Sequence, residues 1–221
     1  MFSTPIVKDV DYDKVYEPSE DSFCFLDCFE DQKEFLEERL GKKVTPLLVE
    51  IGTGSGIITT FLLQNILPDA VYMATDVNPS ACTSVLNTVR LNCPQRACLV
   101  DSLRMSLVSG VRRNLVDVLV FNPPYVPATE VPKYSQKGDD DSNWLDLALL
   151  GGKDGMITTW QVLNDLEEIL SSRGVAYILF CARNKPENVA EEMRSRGWRV
   201  DIVFKRKAGW EVLSILRFIK V

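Results

Sequence analysis

Histidine is absent from all 221 residues. Without an imidazole there is no Ser-His or Cys-His pair and no histidine general base. Any catalysis must therefore run through positioning, carboxylates, amides or backbone groups. The same absence removes the zinc sets that contain histidine, and the six cysteines form no CxxC. Cys24, Cys28, Cys82, Cys93, Cys98 and Cys181 stand mostly among apolar residues and are expected as reduced, packed thiols with no metal site. No apolar run approaches the roughly 20 residues that span a bilayer. The opening "MFSTPIVKDV" lacks the basic and apolar regions of a signal peptide, so a cytoplasmic, or also nuclear, protein is expected. A basic balance is missing as well. Lys and Arg number 25 against 31 Asp and Glu, and the formal net charge of −6 disfavours a chain that embraces nucleic acid unaided. A local basic run, Lys205-Arg206-Lys207, stands against that background. No internal repeat, low-complexity tract or linker divides the sequence.

What is present reads as one domain, 1–221, with an N-terminal extension over 1–44 and a core over 45–221. The acidic stretch "EPSEDSFCFLDCFEDQKEFLEERLG" spaces Phe25, Phe29 and Leu36 for a helix that ends at Gly41. Strands and helices then alternate. "TPLLVEI", "VYMATDV", "RACLVD", "VDVLVFN" and "GVAYILFC" read as strands. "GIITTFLLQNI", "PSACTSVLNTVRLN", Met156 to Leu170 and Pro186 to Arg196 read as helices, and Ala128 to Asn143 as a polar loop. Alternation of this kind predicts a parallel sheet with helices on both faces. The last two strands, "WRVDIVFKR" and "EVLSILRFIKV", are joined by only a few residues and must be antiparallel. The predicted α/β outline resembles the seven-stranded, Rossmann-like fold of S-adenosylmethionine-dependent methyltransferases, mostly parallel and closed by an antiparallel hairpin.

"VEIGTGSGI" falls at the first strand-to-helix turn, where open α/β sheets bind ligands. Gly52, Gly54 and Gly56 allow the backbone to approach a ligand closely. The dinucleotide fingerprint G-x-G-x-x-G fails, because its third glycine would fall on Ile57. Glu50, just ahead of the glycines, suits a cationic ligand. Asp76, read at the end of the second strand, can accept two hydrogen bonds from ribose hydroxyls, and Val77 can cover an adenine face. Asp101, read at the end of the third strand in "CLVDS", can accept from an adenine amino group, with the backbone N–H of Ser102 beside it. A lone aspartate at a strand end more often caps the next helix. Three acids at the ends of three successive strands favour a nucleoside cofactor.

"FNPPYVP" closes the fourth strand with an amide, two prolines and a tyrosine. Proline punctuation explains the stop and neither the asparagine nor the tyrosine. Asn122 offers an acceptor oxygen, and Pro123 and Pro124 fix the turn so that the Pro123 carbonyl can lie beside it. Two adjacent acceptors match the two hydrogens of a planar NH2 group, and Tyr125 supplies a flat surface for it to stack on. Such a clamp acts by orientation and by hydrogen bonds that strengthen as the nitrogen gains positive charge. It needs no histidine.

With "YEPSEDSF" (Tyr16 to Phe23), "VEIGTGSG", "TDVNP", "FNPPYVP" and "GGKDG" (Gly151 to Gly155) in this order, the sequence resembles the HemK-like glutamine methyltransferases over nearly its whole length. Within them it is most similar to the branch that acts on the class 1 translation termination factor. The resemblance implies S-adenosylmethionine as cofactor, with contacts from Ser22, Glu50, Gly52, Asp76, Asp101 and Ser102, and Asn122 shared with the substrate. It implies the glutamine of a Gly-Gly-Gln motif as acceptor, methylated on its side-chain nitrogen, and a small zinc-binding activator subunit as partner. Adenine presents the same planar NH2, so an adenine-N6 methyltransferase of DNA or RNA is an alternative, although it would normally need a basic recognition surface. A protein lysine methyltransferase would not use the paired acceptors as well. A non-catalytic binding subunit is the third alternative, against which the intact motifs count. In this fold "RACLVD" is an edge strand, and edges are usually protected. It is therefore the expected place for a partner to add a strand.

Overall fold

The computed structural model describes residues 2–41, 43–133 and 143–220. Part of the expected 128–143 loop, residues 134–142, lies outside the described residues. A seven-stranded sheet runs in the order β3-β2-β1-β4-β5-β7-β6. Its strands are β1 (Leu47–Ile51), β2 (Val71–Asp76), β3 (Val100–Arg104), β4 (Val116–Phe121), β5 (Leu170–Cys181), β6 (Trp198–Ala208) and β7 (Glu211–Lys220). β1 to β5 are parallel, and β7 runs antiparallel between β5 and β6. This is the mostly parallel α/β sheet, closed by an antiparallel hairpin, that the alternation and the short closing connection predicted.

Period-2 alternation assigns the central strands to two cores. Val118 and Val120 of β4, with Val175, Tyr177 and Leu179 of β5, face one side. Helix α1 (Glu20–Leu40) packs there with α2 (Ile57–Phe61) and its wider continuation Leu62–Ile66, and with α3 (Pro79–Asn92). Leu119, Phe121, Ala176, Ile178 and Phe180 face the other side, against α5 (Ile157–Ile169) and α6 (Pro186–Ser195). A strand buried on both faces is expected to be largely apolar, and all six residues of β4 are buried. Among them is Asp117, whose carboxylate is satisfied by Arg173, Ser171 and the Leu47 N–H.

Two elements depart from the sequence reading. A short helix, α4 (Trp144–Leu149), precedes the glycine-rich "GGKDG" and buries Trp144. The third strand is also displaced. Residues Pro94–Leu99 form a 3-10 turn, begun by a proline that needs no N–H there, and β3 covers only Val100–Arg104. As an edge strand it carries one buried residue, Val100, so its polar second half leaves no apolar signal. Leu99 lies before the strand and packs against the α1–α3 side of the core.

Candidate active site

Parallel register brings the carboxyl ends of β1, β2 and β4 level, with Ile51 opposite both Thr75 and Phe121. The segments that follow, Gly52 onward, Val77 onward and Asn122 onward, therefore share one rim. A cavity of about 240 Å³ opens there. Of the residues singled out in the sequence, Ser22, Glu50, Gly52, Gly54, Asp76, Val77, Asn122, Pro123, Pro124 and Tyr125 all line it.

The glycine turn is tied to the end of β2. The N–H groups of Gly52 and Thr53 donate to the Thr75 carbonyl at 2.8 and 3.2 Å. The Asp76 carboxylate accepts from the Gly54 N–H at 3.1 Å and the Asn78 N–H at 2.9 Å. Burial raises its pKa, and these N–H groups oppose the rise. Glu50 is only 2% exposed. Its Oε2 accepts from the Thr53 hydroxyl and the Thr59 N–H, both at 3.1 Å, and from the Thr59 hydroxyl. Burial pushes the Glu50 carboxyl up to about 7, Asp76 adding to the rise. A cavity walled by two carboxyls that resist ionisation for want of a counter-charge has the chemistry to hold a cation.

At Asn122 the structure decides an orientation. Its Nδ2 donates to Asp21 Oδ2 at 3.1 Å, and Asp21 Oδ1 is held by the Ser22 N–H at 2.7 Å. Asn122 Oδ1 is buried and, among the described residues, has no hydrogen-bond partner. A buried acceptor without a partner is costly, and this one belongs to a cavity-lining residue. Asp21, itself 4% exposed, thus sends the donor end of the amide inward and leaves the acceptor end for a ligand. Burial raises the Asp21 pKa, opposed by Asn122 and Ser22. The hydroxyls of Tyr125 and Tyr16 are pushed up by burial first and then by Asp21, so both rings stay neutral.

The turn is braced from behind. Asn184 Nδ2 donates to the Tyr125 carbonyl at 3.0 Å and to the Asp154 carbonyl at 2.9 Å. The Gly151 N–H donates to the Val126 carbonyl at 2.9 Å. A Cβ on Gly151 would stand 2.0 Å from the Pro124 carbonyl oxygen, and one on Gly155, whose φ is +68°, 1.9 Å from that of Tyr125. "GGKDG" is therefore glycine-rich because the backbone presses directly on the Pro124-Tyr125 turn.

Asp101 and Ser102 are not brought to the cavity. Asp101 pairs in register with Met73 near the start of β3, whereas Asp76 pairs with Arg104. Asp101 is exposed, and its Oδ1 accepts from the N–H of its own neighbour, Ser102. The placement of Asp101 at a strand end is thus corrected, because the strand begins later and runs three residues further. Met105, Ser106 and Leu107 line the cavity where Asp101 was expected. Tyr16, Asp21 and Trp144 also line it and were not singled out from the sequence. Asp21 had one signal, its place in "YEPSEDSF" beside Ser22. Its bond to Asn122 spans 101 residues of chain and has no local signature.

Residues 27–135 match the family model described as "Methyltransferase small domain". The chain is 37% identical over its full length to the eRF1 methyltransferase catalytic subunit mtq2 of Schizosaccharomyces pombe, covering 97% of that protein. It is 34% identical to methyltransferase HEMK2 of Homo sapiens, over 95% of this chain and 91% of that one. The chain belongs to the HEMK2 family of methyltransferases. A solved structure with this fold is the E. cuniculi Mtq2-Trm112 complex, described as responsible for methylation of the eRF1 translation termination factor. The likeness has a TM-score of 0.65 and 25% identity, and covers 94% of this chain and 99% of that one. As a HEMK2-family member the chain is an S-adenosylmethionine-dependent enzyme. The rim residues fit that cofactor: a buried carboxyl, Glu50, and a half-buried one, Asp76, await a cation, and the Gly52-Gly54 turn keeps side chains out of its path.

Proposed function

We propose that the chain methylates the side-chain amide nitrogen of the glutamine in the Gly-Gly-Gln motif of the class 1 translation termination factor, in the cytosol. The observation that carries this reading is the buried, unpartnered Oδ1 of Asn122, aligned by Asp21. It can accept an N–H from a planar amide, and the Pro123 carbonyl can take the second. When bound, S-adenosylmethionine supplies an electrophilic methyl on a sulfonium. Glu50 and Asp76 would hold the cofactor's cationic and ribose parts, Tyr125 would offer its ring to the amide plane, and the hydrogen bond to Asn122 Oδ1 would strengthen most as the nitrogen becomes positive. The methylated nitrogen then gives up one N–H proton to solvent water, while the amide's other N–H is retained. No imidazole takes part, in keeping with a sequence that has none.

Among the described residues, the edge strand β3 has β2 as its only neighbour in the sheet. We propose that a small zinc-binding activator subunit adds its own strand there; that a relative of known structure is a complex with a second subunit supports the existence of a partner. Along a strand, successive N–H groups alternate in direction. Ser102→Pro and Leu103→Pro are therefore the informative pair, since one of them must remove an outward N–H. Leu99→Lys would report on the core instead, because Leu99 packs there. A one-to-one complex that survives both proline variants removes β3 as the docking edge.

The acceptor is tested by supplying labelled cofactor with the intact termination factor, a lysine-rich protein and a single-stranded oligonucleotide. Mass spectrometry should find one added methyl on the glutamine of Gly-Gly-Gln. Label on adenine or on lysine in preference to that glutamine overturns the reading.

A further inference from the structure

Behind the Pro124-Tyr125 turn lies a second, open groove that the methyl-transfer reading leaves unused. Its floor is apolar, formed by Ile157 and Trp160 of α5 and Val189 of α6. Lys153, Arg183 and Lys185 stand along it, all exposed. Among the described residues none of these three has an ion-pair partner, although exposed neighbours do, Lys205 with Glu187 at 3.0 Å for example. A fourth cation, Arg196, lies over the Trp160 ring at 5.3 Å and is paired with Glu192 at 2.9 Å. Asp154 is the other carboxylate of the groove. Four cations against two carboxylates is a local excess of positive charge on a chain whose net charge is −6.

The groove is coupled to the active site through one side chain. Asn184 belongs to its wall, and the same Nδ2 donates to both the Tyr125 and Asp154 carbonyls. Asn184 Oδ1 in turn accepts from the Cys181 N–H at 2.8 Å. A polypeptide with one side chain in the Asn122-Tyr125 turn thus has a cationic channel with an apolar floor beside it. The apolar floor and the two carboxylates disfavour a nucleic-acid backbone, whereas acidic side chains flanking an apolar one complement both features.

We propose that this groove docks an acidic segment of the polypeptide substrate, with Asp or Glu on either side of an apolar residue, and so sets which glutamines are delivered to Asn122. The inference rests on the reading of the chain as a protein methyltransferase.

The test compares the full chain, with its partner subunit where that is needed for solubility, against the triple variant Lys153→Ser/Arg183→Ser/Lys185→Ser. Exposed ion pairs contribute modestly one at a time, and three together should raise KM for the intact termination factor about five- to tenfold. The salt dependence of that KM should flatten, since the charges that produce it are gone. The kcat, the cofactor affinity, and KM for a short uncharged peptide bearing the target glutamine should not change. An unaltered KM and salt dependence with the intact substrate would overturn the proposal. A second measurement is independent of the substrate's identity. A fluorescent peptide with glutamates flanking a leucine should bind the wild type and not the variant, and its lysine counterpart should bind neither. If that peptide binds while the termination factor is not methylated, the groove stands and the assigned substrate falls. Equal binding of the peptide to wild type and variant, or tighter binding of an oligouridine to the wild type than of the acidic peptide, overturns the groove's assignment.

Discussion

Asp76 and Asp101 look alike in the sequence. Each follows a short apolar run, and each precedes a small stretch that could open a helix. In the fold they are unlike. Asp76 closes a strand flanked on both sides, and its carboxylate pins the glycine turn through two backbone N–H groups. Asp101 sits near the start of the edge strand, exposed, bonded to the next residue's N–H. An inner strand is mostly apolar, and the few polar residues within it are buried and bonded, as Asp117 is, so it stands out from the polar turn that follows it. An edge strand is half solvated and can run on through polar residues unannounced. The same motif, strand then aspartate, marks a binding rim in one place and an exposed surface in the other.

The strongest way to sharpen this contrast is at the inner rim. Asn122→Ala removes the acceptor aimed at the developing charge, and kcat should fall about 10²- to 10³-fold, more than the cofactor affinity does. Near-normal turnover of the folded variant on the Gly-Gly-Gln substrate would dismiss the clamp. Asp76→Ala removes a charge-assisted contact of ~1.5–3 kcal/mol and loosens the glycine turn, so S-adenosylmethionine should bind at least roughly tenfold more weakly by calorimetry. Asp21→Ala frees the Asn122 amide to rotate. Its expected cost is about tenfold in kcat, with cofactor affinity held, because one orienting hydrogen bond contributes on the order of 1.5 kcal/mol. A loss confined to cofactor affinity would instead make Asp21 a cofactor contact.

Glu50 supplies a pH test. Its folded pKa is raised, so the neutral form is favoured by the cofactor-free fold, and ionisation costs stability as pH climbs from the ordinary 4.5 to about 7. Thermal stability should therefore decline across that window, by at most ~1.4 kcal/mol per pH unit from this group. Glu50→Gln should flatten the decline, leaving the smaller slope of the same sign that Asp21 and Asp76 add. Binding a cationic cofactor reverses the preference, so calorimetry in paired buffers near pH 6 should show proton release that the Gln variant lacks. A wild-type profile that is flat, or that rises, would remove Glu50 from this role. The smallest effect belongs to the outer edge. Asp101→Ala should leave cofactor affinity within about twofold, since no cavity atom depends on it. A tenfold loss there would erase the distinction drawn between the two aspartates.

The sequence by itself determined whatever is written in local periodicity and in residue chemistry. Strand-helix alternation and the short last connection specified a parallel sheet closed by a hairpin. Doubly buried β4 announced itself as an apolar run broken only by Asp117, and "VEIGTGSG" and "FNPPY" named two of the rim's turns. The missing histidine restricted the chemistry to amides, carboxylates and backbone. What only the tertiary structure decided is what depends on residues far apart in the chain. Asp21 meets Asn122 across 101 positions, and that single bond selects which end of the amide faces the ligand. Gly151 and Gly155 are explained by the carbonyls they press against. The start of β3 was settled by its one neighbour, β2, because a solvated edge carries too little apolar pattern to fix its own register.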